Sequence, residues 1–80
     1  MLKEIASGIK PTTVFKEMLA AKPELTSSDI AVQFMEEFSR VSSEVVHIFW
    51  QWRKPGRDRG LDDGRVDEIL AHYLKDAGYL

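Results

Sequence analysis

Between its breakers the chain sets apolar residues at helical spacing, and nowhere does it sustain a period-two alternation. Gly8 and Pro11, then Pro23, then Pro55-Gly56 with Gly60 and Gly64, then Gly78 punctuate it. Four amphipathic segments lie between these marks. The first, Thr13 to Lys22, carries Val14, Phe15, Met18 and Leu19 and stops before Pro23. The second, Ser27 to Phe38, gathers Ile30, Ala31, Phe34, Met35 and Phe38 on one face and sets Gln33, Glu36 and Glu37 opposite. The third runs from Ser43 to about Lys54. The fourth, Asp63 to Ala77, has an apolar stripe of Val66, Ile69, Leu70, Tyr73 and Leu74, and Gly78 stands where a left-handed cap is wanted. Leu2, Ile5 and Ile9 leave residues 1–11 as either a short N-terminal helix or a flexible arm. The expectation is an all-α chain: a small compact bundle of four short helices, or five if the N-terminus forms one.

Three helix starts share one pattern, in which the residue before the N-cap packs against the residue five positions later. Leu25-Thr26 with Ile30, Val41-Ser42 with Val46, and Leu61-Asp62 with Val66 all fit. Asp29 is placed to reach back to the Thr26 cap, and Glu44 puts a negative charge in the first turn of its helix, where the dipole favours it. A cap contributes ~1 kcal/mol, so these patterns mark boundaries and do not choose the fold.

The stretch Val45-Val46-His47-Ile48-Phe49-Trp50-Gln51-Trp52 is apolar around most of its circumference. Val45, Ile48, Phe49 and Trp52 share a face, Val46 and Trp50 widen it, and Glu44, His47 and Gln51 are left for solvent. Such a helix has several neighbours. Trp52 belongs to the core on this reading, while Trp50, at the edge of the arc, is the candidate contact residue.

Charge changes the picture at one place. The 80 residues carry a formal net charge of -2, which argues against general nucleic-acid or membrane affinity. Arg53, Lys54, Arg57 and Arg59 nevertheless cluster within seven positions, with only Asp58 opposing them. Arg53 and Lys54 complement the dipole of a helix C-terminus there. Arg57 and Arg59 have no such local account and are candidates for an anion or an acidic partner surface.

Other chemistry is not supported. Cysteine is absent, so disulfides, thiol catalysis and thiolate metal sites are excluded. The reducing cytoplasm is compatible with that and is the expected location. Eighty residues predict one domain with a thin core. No secretory leader or membrane-length apolar run is read in the chain. The acidic residues Asp58, Asp62, Asp63 and Asp67 fail the calcium-loop spacing in both registers the glycines allow. His47 and His72 lie apart on different helices, and no serine sits in a nucleophile-elbow pattern. No enzyme, metal or cofactor is expected.

The segments Asp29-Ile30-Ala31 and Val41-Ser42-Ser43-Glu44-Val45-Val46, flanking a short connection, resemble parts of bacterial helix-turn-helix motifs over about a quarter of the chain. The resemblance implies a DNA-binding regulator whose positive charge comes from the loop at 53–59. The chain departs from that pattern at Met35 to Arg40, which is longer than the tight turn and lacks its glycine. The favoured expectation is a non-catalytic protein-interaction module. Its partner, another protein or a second copy, meets an edge formed by Trp50, Arg53, Lys54, Arg57 and Arg59.

Overall fold

The computed structural model describes residues 2–80 and is all-α among them. Five α-helices follow in order: α1 (Lys3–Ala6), α2 (Pro11–Ala21), α3 (Ser27–Glu37), α4 (Val46–Gln51) and α5 (Asp63–Asp76), with a 3-10 turn at Ser43–Val45 leading into α4. Helix α2 packs on α5, α3 on α4, and α1 on α2. The radius of gyration is 11.5 Å, against about 11.6 Å for a compact chain of this length.

One contiguous core joins all five helices. Its centre is aromatic. Phe15 of α2 lies 5.2 Å from Phe49 of α4, 5.7 Å from Trp52 and 6.3 Å from Phe34 of α3, centroid to centroid. Phe34 continues to Phe38, and Phe38 to Tyr79, at 5.0 Å each. These offset and edge-to-face spacings are the preferred ones for aromatic pairs. Val66, Leu70 and Leu74 close the core from α5, and Leu2 and Ile5 close it from the N-terminal end.

The three repeated starts behave differently in detail. At α3 the capping box is complete: Thr26 Oγ1 accepts from the Asp29 N–H, and the Asp29 carboxylate accepts from the Thr26 N–H. The Thr26 N–H, and then the Thr26 hydroxyl, hold the Asp29 carboxyl below its ordinary range. At α5, Asp62 accepts from the Arg65 N–H, as its position predicts. At Ser42 the hydroxyl accepts from Glu44, only two residues on, because the chain enters through a 3-10 turn. Its flanking Val41 and Val46 still join the core.

Helix α2 starts at Pro11, two residues before the expected Thr13. Proline suits the first helical position because its fixed φ is already helical and its missing N–H had no partner there. Helix α4 ends at Gln51, three residues short of Lys54. The chain turns extended at Trp52 (ψ +131°), Pro55 disfavours a helical Lys54, and Pro55 has no N–H to give the Gln51 carbonyl. Leu61 N–H takes its place at 2.7 Å, and Arg53 N–H donates back to the Leu61 carbonyl at 2.7 Å. This short bridge between Trp52 and Leu61 requires Gly60, whose φ is +128° and whose added Cβ would collide with the Gln51 carbonyl oxygen.

At the end of α5, Gly78 at φ +87° completes a Schellman motif. Its N–H donates to Lys75, and the N–H of Tyr79 donates to Leu74. The chain then turns Tyr79 onto Phe38, while its hydroxyl accepts from the Arg40 N–H at 3.2 Å and the Arg40 guanidinium lies 4.6 Å from the ring centre.

Candidate functional site

Trp50 is the largest exposed apolar side chain, with 51% of its surface accessible. Its position follows from helical spacing: one turn after Val46 on α4, it faces away from the buried Phe49 and toward the start of α3. There its indole N–H donates to Ser28 Oγ at 3.2 Å, and His47 stands edge-on to the ring at 5.9 Å. An open depression of about 380 Å³ runs between α3 and α4 beside it. Its floor and walls are Ala31, Val32, Met35, Val46 and the Trp50 ring, with Ser28 and Glu36 also lining it. Val32 is 56% exposed, so two large apolar residues of this face meet solvent.

The sequence pattern singled out Trp50 but not Val32. The signal was available: Val32 is a β-branched apolar residue one turn before Met35 and beside Gln33, where it widens the apolar stripe of α3 toward solvent. Such a residue has no helix-propensity reason to be there.

Around the corner, Trp50, Arg57, Arg59 and Leu61 line a second, shallower depression. The structure thus brings three of the five expected contact residues together. Arg53 and Lys54 instead border a polar hollow with Lys16, Pro55, Asp62 and Asp63, which Arg57 also reaches. Because α4 ends at Gln51, these two cations belong to the loop and not to the last helical turn.

Arg57 has a structural task that its sequence position does not announce. One Nη donates to the Trp50 carbonyl at 3.0 Å and the Trp52 carbonyl at 3.2 Å, closing the open end of α4. A turn from Lys54 to Arg57, bonded at 3.0 Å with Pro55-Gly56 at its centre, aims the side chain back. Arg59 makes no side-chain hydrogen bond or ion pair among the described residues and is exposed.

Two polar clusters brace this end of the molecule. Asp63 accepts from the buried Trp52 indole at 2.9 Å and pairs with Lys16. The Lys16 ammonium and then the indole N–H hold its carboxyl below the ordinary range. Asp67 is half-buried and clamps the start of α2. Its two oxygens accept from the Thr12 N–H at 2.8 Å and the Thr12 hydroxyl at 2.9 Å. Helix α2 has no capping side chain of its own, so a carboxylate from α5 fills that role.

The outward face of the 3-10 turn and α4 consists of Glu44, His47, Trp50 and Gln51. Both histidines are exposed. Among the described residues no three His, Cys, Asp or Glu side chains gather as a metal site would need, and no helix is long and apolar enough to cross a membrane. No protein-family model, curated protein or solved structure matches this chain.

Proposed function

We propose that this chain is a non-catalytic, protein-binding helical module that docks its partner on the α3/α4 face. The observation that carries the reading is the half-exposed indole of Trp50 at the rim of an apolar depression shared with Val32 and Met35. A small protein has little stability to spare, and leaving two large apolar residues on one face fits a surface meant to be covered. Trp and Arg are the residue types most enriched where partners bind tightly, and Arg59 stands free beside Trp50. The duplex-binding alternative draws less support. The segment that would enter a groove presents Glu44 and His47, and one of its four cations, Arg57, is engaged with backbone carbonyls.

A photo-crosslinking residue at position 32, compared with one at Glu68 on the outer side of α5, tests the reading in cell extract. Discrete protein adducts from position 32 that vanish with Trp50→Ser are the expected result. Equal adduct patterns from the two positions, or none from position 32, would refute it.

A further inference from the structure

Helix α5 turns Val66, Leu70 and Leu74 into the core and carries a second stripe on its outer side. Arg65, Glu68, Ile69, His72, Tyr73 and Asp76 recur there at helical spacing and line an open depression of about 500 Å³, all of it from this one helix. Ile69 is the apolar centre of the stripe. It is half-buried, yet it belongs neither to the core nor to the apolar side chains packed on it. The helix itself gives no account of the two end charges either. Arg65 stands in the first turn and Asp76 in the last, each with the sign the helix dipole disfavours. Both are exposed, and neither side chain makes a hydrogen bond or ion pair among the described residues. From Arg65 to Asp76 the helix rises about 16.5 Å. That exceeds the ~8 Å screening length at physiological salt, so the opposite charges of one copy do not neutralise each other.

We infer that this stripe pairs with the same stripe of a second copy, the two α5 helices lying antiparallel about a two-fold axis midway between Leu70 and Ala71. Reversal about that point sets Arg65 of each copy level with Asp76 of the other, so both end charges gain an opposite charge. It sets Glu68 level with Tyr73, whose hydroxyl can donate to the carboxylate, and Ile69 level with His72. The two Ile69 side chains are then about 4.5 Å apart along the axis and meet at the centre. Each Arg65 has its own Glu68 one turn on and Asp76 of the other copy beside it, and its forked donors suit two carboxylates. Antiparallel helices also bring opposite dipole ends together. Every position of the stripe thus finds its complement in the same stripe, which is what an isologous interface requires. The net charge of -2 leaves little general repulsion between copies. This pairing uses a different helix from the α3/α4 face and leaves that face open.

Sedimentation equilibrium on the full chain, from micromolar to millimolar concentration, provides the test. Two helices meeting over three turns bury less than about 1,200 Å², the weak end of specific association, and that sets the range. The wild-type chain should shift reversibly from monomer to dimer. Arg65→Glu alone and Asp76→Arg alone should each weaken dimerisation at least roughly tenfold, because each reversal sets like charges level at both symmetric contacts. Neither should lower stability to urea, since each brings its charge into line with the helix dipole, so a lost dimer is not a lost fold. The chain carrying both reversals should dimerise again, and an equimolar mixture of the two single variants should form a heterodimer. A wild-type chain that stays monomeric at millimolar concentration overturns the inference, and so does a double reversal that fails to restore association. In the purified chain, a photo-crosslinking residue at position 68 should attach to the Tyr73 end of a second α5. Attachment to α3 or α4 instead would put the contact on the other face and overturn the pairing, while leaving the protein-binding reading of that face standing.

Discussion

Replacing Asp67 by alanine removes both acceptors of Thr12 at once. The Thr12 N–H belongs to the first turn of α2, where no helical partner exists, and the residue is only 3% exposed, so water has poor access to it. Losing a cap typically costs ~1 kcal/mol, and stranding a buried hydroxyl costs about 1–3 kcal/mol more. The two bonds share one carboxylate and are not additive, so about 2–3 kcal/mol is expected for the pair. A chain of this size has a total stability on the order of 4–12 kcal/mol, and the loss should lower Tm by roughly 10–20 °C. Urea titration followed by ellipticity at helical wavelengths reads the change directly. Thr12→Val, which keeps the backbone bond, should cost about 1 kcal/mol. Asp76→Ala, at an exposed position in the last turn of the same helix, should stay within about 0.5 kcal/mol. If Asp67→Ala proves no more damaging than Asp76→Ala, the capping of α2 by α5 is refuted.

Three other outcomes follow from the loop and the termini. Gly60→Ala combines a positive φ with a collision against the Gln51 carbonyl, and should cost about 2 kcal/mol or more in the same urea titration while Gly56→Ala, whose added Cβ meets no atom, costs less. The lowered Asp63 carboxyl contributes stability that is fully present above its unfolded value of about 3.9 and is lost as pH falls through the lower folded value. Asp63→Asn should therefore flatten part of the acid limb of a stability-against-pH curve; an unchanged limb would remove Asp63 from it. The Arg40 side chain, and then its backbone N–H, stabilise the Tyr79 phenolate and lower that phenol below its ordinary value. Ultraviolet titration should show one early-ionising tyrosine that Tyr79→Phe abolishes and Arg40→Gln moves upward.

What could be read from the sequence was whatever depends on neighbours a few positions away. Thr26 with Asp29, Asp62 with Arg65, and Gly78 with Tyr79 satisfy orphan backbone groups within one turn of themselves, so their spacing alone announces them. The stripes Ile30–Phe34 and Val66–Leu70–Leu74 announce the buried faces in the same way, and Trp52 was assignable to the core from its place in the apolar arc.

Tertiary structure decided everything that depends on a partner distant in the chain. Helix α2 begins without a local cap because Asp67, fifty-five residues on, supplies one. Helix α4 stops at Gln51, where Trp52 turns extended and Leu61, from across the loop, provides the donor that Pro55 lacks. The same rule governs the candidate surface. Trp50 stood out by its position in the arc, but Arg57 could be told from Arg59 only once the loop had folded back and spent one guanidinium on the end of α4. Periodicity records which side of a helix is apolar. It does not record which distant group arrives there to satisfy a hydrogen bond, because that arrival is set by how the helices pack.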